Sequence, residues 1–294
     1  MSFREEPFHF DCAGERLLGI AAHPDSALDT GVLIVVGGPQ YRIGSHRQFV
    51  LLARDMAGAG IPSMRFDFRG AGDATGTQRT YEDIGADISA ALAAFFARSA
   101  QLKRVVLWGL CGAASAALFY GYRDARVAGL VLVNPWVRTE EVMARTYLRH
   151  YYFRRLFEGQ FWRKVLSGRF DADSSAKSLA TMIKDAARGW RERRASPATV
   201  EADAIDRDLP LPTRMAVSLE RFARDVLIVL SGADYTAREF RTAVAGDAQW
   251  AKALERNRVV WHDIADSNHT FASRRWRNEV AAVTVRWALD IAKR

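Results

Sequence analysis

VVLWGLCGAASAALFYGY, residues 105–122, carries no charge over 18 positions and is flanked by Lys103 and Arg104 on one side and Arg123 on the other. A run of that length reaches the lower limit for a helix that crosses a bilayer. Gly109 and Gly112 divide it, however, into VVLWG and an Ala-rich continuation. A buried strand that turns sharply into a buried helix produces the same run, and that reading fixes the frame for the rest of the chain.

Working outward, the same alternation recurs. GVLIVVGG (31–38) is a short apolar run ended by a turn, as a buried strand is. His46–Gly58 shows helical apolar spacing through Phe49, Leu52, Ala53 and Met56, and Gly58 or Gly60 stops it. Pro62–Asp67 reads as a strand. Thr80 is placed to cap a helix that runs to about Arg98, with Asp83 three residues on as in a capping box. Arg104–Trp108 and Val127–Val133 are strands around the helix Gly112–Tyr122, and Asn134-Pro135 ends the second. Upstream, residues 7–24 read as a hairpin turning at Ala13-Gly14. Downstream, Asp225–Ser231 and Arg258–Ile264 are strands, with helices over Thr236–Ala245, Ala248–Glu255 and Arg275–Ala292. Strands alternating with helices predict an α/β fold with a mostly parallel central sheet covered on both faces.

The pattern breaks between 136 and 210, a stretch rich in arginine and aromatic residues and without strand periodicity, closed by Leu209-Pro210-Leu211-Pro212 like a linker. It reads as a helical cap or lid inserted into a core made of residues 1–135 and 211–294. Its Arg149, Tyr151, Tyr152, Arg154, Arg155 and Phe157 suit an acyl chain with an anionic head, such as a carrier phosphopantetheine, or a docking face for an anionic membrane surface.

In open α/β sheets the chemistry lies beyond the carboxyl ends of the strands. There, Gly109-Leu110-Cys111-Gly112-Ala113 has the form of a nucleophile elbow, G-x-S-x-G, with Cys for Ser and Ala for the last Gly. Small neighbours let the backbone pass through a tight turn, and the free N–H groups of the following helix favour negative charge on the nucleophile. A cysteine nucleophile needs a base, and the base an orienting partner. His269, in Asp266-Ser267-Asn268-His269-Thr270-Phe271 after the last strand, is the base candidate. His9 and His23 lie in the hairpin, His150 in the lid and His262 inside a strand, which leaves His46 as the weaker rival. Asp234, three residues past the strand end at Ser231, is the acid. After Val127–Val133 the neutral Asn134 stands where an acid could otherwise sit. Two backbone N–H groups are needed for the oxyanion: Gly112 supplies one by position, and the Gly37–Gln40 loop the other, from Gln40 or alternatively Gly38, since Pro39 has no N–H. Phe66–Asp73 reads as a turn that braces these loops, because it lacks both G-x-G-x-x-G and a Walker-type lysine.

The totals exclude several classes. The chain has 294 residues, 49% hydrophobic and 26% charged, which fits two domains or one α/β core with an insertion and excludes disorder and repeats as the main architecture. The net charge of +8 is spread among acids without a block of like charges, so nucleic acid is not an expected partner. Cys12 and Cys111 form no disulfide framework, the start MSFREEPFHF has no apolar signal core, and a cytoplasmic location follows as the expectation. No metal-ligand spacing is present and no cofactor is expected.

Over nearly its whole length the sequence resembles the α/β-hydrolase superfamily, through Gly109–Ala113, FDFRGAGD (66–73), SGAD (231–234) and NHTF (268–271), in the chain order nucleophile, acid, base. More narrowly, VVGGPQYRIGSHRQF (35–49), FRGAGDATG (68–76) and WGLCGAASA (108–116) resemble the exosortase A system-associated hydrolases, type 1. In that family an acidic residue often follows the cysteine; Gly112 stands here, so no role of that acid carries over. The resemblance implies a cytoplasmic enzyme encoded near bacterial exopolysaccharide production and exosortase sorting, without implying its reaction. The residues themselves predict a cysteine-dependent acyl hydrolase or acyltransferase acting on an ester or thioester, with a small-molecule or carrier-bound acyl substrate. The rival reading is a non-catalytic ligand-binding protein on the same fold, or a peripheral partner at a membrane or of the polysaccharide machinery.

Overall fold

A computed structural model describes residues 2–37, 40–138, 205 and 207–294 of the chain. Among them a single eight-stranded sheet runs in the order β1-β2-β4-β3-β5-β6-β7-β8. The strands are β1 (Phe3–Cys12), β2 (Glu15–Pro24), β3 (Thr30–Val35), β4 (Ser63–Asp67), β5 (Arg104–Leu110), β6 (Val127–Val133), β7 (Asp225–Ser231) and β8 (Arg258–Ile264). All neighbours from β4 to β8 pair in parallel; β1 and β2 form the hairpin, and β2 joins the sheet antiparallel to β4. Ala13 and Gly14 both take positive φ in the hairpin turn, as a type I′ hairpin turn requires.

β3, β5, β6 and β7 are buried almost without interruption and read as continuous Val, Leu and Ile runs, because both faces of the sheet are covered. The helices are α1 (Gln48–Gly58), α2 (Gly85–Arg98), α3 (Gly112–Gly121), α4 (Leu211–Phe222), α5 (Tyr235–Val244), α6 (Ala248–Arg256) and α7 (Arg274–Ala292). Their contacts divide them: α1 packs with α7, and α3 with α2 and α4. From β3 the chain first moves outward to β4, then returns through α2 to β5 and proceeds in the opposite direction to β8. The order therefore reverses between β3 and β5, the place where open α/β sheets form their ligand crevice.

Two local expectations are corrected. Thr80 caps no helix: its hydroxyl donates to the Asp83 carboxylate at 2.7 Å, and Asp83 N–H donates to Thr80 O at 2.9 Å. That closed turn absorbs residues 80–83, and α2 starts at Gly85. Leu209–Pro212 is no linker either. Pro210 precedes α4, and Pro212 sits in its first turn, where the missing N–H costs nothing. Leu211, Met215, Leu219 and Phe222 then form the buried stripe. Most of the expected lid, residues 139–204 and 206, lies outside the described residues. No helix among the described residues is long and apolar enough to cross a membrane.

Candidate active site

Cys111 stands between β5 and α3 at φ 59°, ψ −123°, a backbone conformation costly for any residue with a side chain. The surrounding structure enforces it. Cys111 N–H donates to Val133 O at 2.9 Å, and its carbonyl accepts Trp136 N–H at 3.3 Å, so the turn is gripped from the end of β6. The Ser115 hydroxyl donates to Trp136 O at 2.7 Å and closes the same junction. Gly109 is needed here, because a Cβ would stand 2.5 Å from the Ala113 carbonyl carbon. Gly37 is needed too, because a Cβ there would collide with Ala113 N where the end of β3 passes over α3. Gly112 opens α3, so its N–H has no intrahelical acceptor.

Asp234 and His269 come together at the ends of β7 and β8. His269 Nδ1 lies 2.8 Å from Asp234 Oδ2. Asp234 also caps α5, accepting the N–H groups of Thr236 at 3.3 Å and Ala237 at 3.2 Å. Burial opposes ionisation, but the His269 imidazole first, and then these backbone donors, hold its carboxyl below the usual carboxylate range. The Asp234 carboxylate first, then the Cys111 sulfur, push the His269 imidazole up to about 10. The imidazole is therefore cationic at neutral pH, lying between carboxylate and sulfur.

The histidine loop is fixed from below. Phe271, with φ 50°, is buried and anchors the loop in the core. Phe271 N–H donates to Asn268 O at 3.1 Å, and Ala272 N–H to Asn268 Oδ1 at 3.1 Å. Gly232 N–H donates to Ile264 O and Ala233 N–H to Ser267 O, each at 3.0 Å, which zips the two loops together.

The expected brace is also present. The fully buried Asp67 accepts the backbone N–H of Arg42 at 2.7 Å, the Arg42 guanidinium, and the N–H of Asp73 at 3.0 Å. Arg42 pairs in addition with Asp73 at 2.6 Å. The loops after β3 and β4 are thereby locked to each other. Gln40 stands on the first of them, its carboxamide donating to Ser45 Oγ at 3.2 Å. Gly38, the alternative donor, and Pro39 lie outside the described residues. His46, the rival base, is exposed on this loop at φ 52°.

Tyr81 is the neighbour that sequence reasoning missed. Its ring covers Gly112, at 3.2 Å from where a Cβ would be, and its phenol is pushed up first by burial and then by Glu82. Glu82 pairs with Arg214 of α4 at 2.8 Å. No sequence signal joins positions 81 and 112, since only the failed capping turn brings Tyr81 to the elbow. Among the described residues no three His, Cys, Asp or Glu side chains gather into a metal-ligating group. Cys12, at the end of β1, is buried and Cys111 is half-buried, both as free cysteines.

A model of the alpha/beta hydrolase family matches residues 32–283. No curated protein matches the sequence. Among solved structures, the esterase Pf2001 of Pyrococcus furiosus superposes with a TM-score of 0.61 at 15% identity, covering 97% of this chain and 94% of its own. A dienelactone hydrolase from Anabaena variabilis gives 0.60 at 13% identity, covering 99% of each chain. Est1E from Butyrivibrio proteoclasticus, solved with ferulic acid bound, gives 0.61 at 14% identity, covering 98% of this chain and all of its own. At these identities the likeness is one of fold.

Proposed function

The chain belongs to the alpha/beta hydrolase family, and on that premise we propose that it is a cysteine-dependent acyl hydrolase or acyltransferase acting on an ester or thioester. The observation that carries the proposal is the line Cys111–His269–Asp234, with the imidazole held cationic between sulfur and carboxylate. Cys111 Sγ attacks the acyl carbonyl carbon as thiolate, and the carbonyl electrons move onto oxygen. The N–H groups of Gly112 and Gln40 receive that oxyanion. On collapse the C–O or C–S bond to the leaving group breaks, and His269 gives its proton to the departing oxygen or sulfur. Water, an alcohol or an amine then loses a proton to His269 and attacks the thioester carbonyl, and the C–S bond to Cys111 breaks, releasing the acid, ester or amide and restoring the Cys111 thiolate beside the protonated imidazole. A thioester acyl-enzyme is close in energy to a thioester donor, which lets transfer compete with hydrolysis. The fold neighbours named as an esterase and a dienelactone hydrolase support the ester class. The link to exopolysaccharide and exosortase systems rests on the resemblance of residues 35–49, 68–76 and 108–116 and is part of this proposal.

The test is intact-protein mass after incubation with a panel of acyl thioesters and activated esters, run on wild type, Cys111→Ala and His269→Ala. An acyl adduct on wild type that is absent from Cys111→Ala is the expected result, and its decay with and without added alcohols or amines separates hydrolase from transferase. Turnover that survives Cys111→Ala would overturn it.

A further inference from the structure

We propose that Asn134 is the positioning residue of the base: its carboxamide, at the end of β6, fixes the backbone on both sides of His269 and so sets the reach of the imidazole to Cys111. The inference rests on the Cys111–His269 reading above. Asn134 is fully buried and takes φ 43°, while its own N–H donates to Val229 O at 3.0 Å, so it extends the β6–β7 ladder by one residue and then turns. Its carboxamide is used from both ends. Oδ1 accepts Ser231 N–H at 2.8 Å, and Nδ2 donates to Ser231 Oγ at 2.8 Å and to His269 O at 3.1 Å. Ser231 Oγ in turn donates to Asn268 O at 3.0 Å. The carbonyls of residues 268 and 269 flank the His269 Cα, and both are tied to the ends of β6 and β7. With that backbone held, only the two side-chain torsions remain, and the Asp234 bond at 2.8 Å settles those.

The chemistry explains why this residue is an amide. Aspartate matches its shape and accepts from Ser231 N–H, but a carboxylate has no hydrogen for the His269 carbonyl and would set two acceptors against each other in a buried place. Asn257 provides a matched contrast. Its buried carboxamide is equally engaged, donating to Leu219 O and Ala253 O at 2.7 Å and accepting Arg224 N–H at 3.0 Å, but it ties α4 and α6 together far from the elbow.

The experiment reads the Cys111–His269 pair without any substrate: the rate of iodoacetamide alkylation at Cys111, followed by peptide mass, against pH. The proteins are wild type, His269→Ala, Asn134→Gly, Asn134→Asp and Asn257→Asp, with unfolding midpoints measured alongside. Glycine adopts the Asn134 backbone without strain, which keeps that variant folded. The expected result is that both Asn134 variants alkylate about tenfold or more slowly than wild type near pH 6, approaching His269→Ala, and converge with wild type near pH 9.5, since an ångström of misplacement is enough for losses up to about a hundredfold. Asn257→Asp lowers the midpoint and leaves the pH profile in place. If His269→Ala is slow while both Asn134 variants stay within twofold of wild type, the positioning role is overturned and the Cys111–His269 pairing stands. If His269→Ala itself matches wild type, the pairing fails and takes this inference with it.

Discussion

One oxygen of Asp234, Oδ2, lies 2.8 Å from Nδ1 of His269 and also accepts the Ala237 N–H of α5 at 3.2 Å. The proposed acid of the site and the cap of a helix are the same carboxylate, and the two duties separate by substitution. Asn at position 234 still caps a helix, because Asn and Asp are nearly equal at that position. It does not stabilise an imidazolium. Asp234→Asn is therefore expected to lower turnover by about 10²–10⁴-fold and to give up the stability that the paired imidazolium contributes at neutral pH, while the helix cap is kept. Asp234→Ala loses both duties and costs about 1 kcal/mol of stability in addition. Chemical denaturation and acyl-enzyme kinetics on the two variants check this.

The raised His269 has a consequence for stability with a definite sign. Its folded value, about 10, lies above the ordinary 6.5. The folded state therefore holds this proton more tightly than the unfolded chain, and the stabilisation is complete below about pH 6.5 and fades as pH rises toward 10. Asp234 is shifted the other way, so its share is present above the ordinary carboxyl range and is lost on acidification. Urea unfolding of wild type and His269→Ala should show their difference largest between about pH 4 and 6.5 and shrinking toward pH 10. A difference that grows with alkalinity would contradict the pairing.

Asp67 offers a test of the brace between the two site loops. Asp67→Asn keeps the shape and loses the charge that meets Arg42 and its backbone N–H. Breaking a buried pair from one side costs about 3–5 kcal/mol, moderated here by the Arg42–Asp73 contact at 2.6 Å. The Gln40 loop then loses its anchor, and turnover should fall further than binding. A KM raised with kcat unchanged would place the loop outside the transition state.

Gly109→Ala tests the strain at the elbow. The added Cβ meets the Ala113 carbonyl carbon at 2.5 Å, backbone against backbone, with no flexible side chain to yield. The expected loss is about 1–3 kcal/mol or more, read by denaturation, with Gly58→Ala as the control because nothing stands within 4 Å of a Cβ there.

The parts legible in the sequence are those whose cause is local. The strands β6, β7 and β8 stand at the bounds expected for them; β6 and β7 are short apolar runs, and β8, richer in polar residues, still carries Val259, Val260, Trp261 and Ile264. Cys111, Asp234 and His269 are legible as candidates because each stands on the turn or loop that follows a strand. What the sequence hides depends on distant partners. Thr80 and Asp83 have the spacing of a capping box, but the hydroxyl turns to the carboxylate and the helix waits for Gly85. Leu209–Pro212 reads as punctuation because it holds two prolines, and the buried stripe of Leu211–Phe222 emerges only with Pro210 as its cap and Pro212 in its first turn. In the sequence Asn134 reads only as a missing charge, whereas its three side-chain hydrogen bonds involve residues almost a hundred and more positions away.

Val133 pairs with Val229, and Asn134 N–H donates to Val229 O, although nearly a hundred positions separate them in sequence. Cys111 is on one side of that gap in sequence, and Asp234 and His269 are on the other. A chain cut between Arg138 and Arg207 would yield two polypeptides, one with a sulfur and no base, the other with a base and nothing to deprotonate. Each would be inert alone, and activity would report their reunion along a single parallel strand pair, which makes this sheet a natural scaffold for a split reporter.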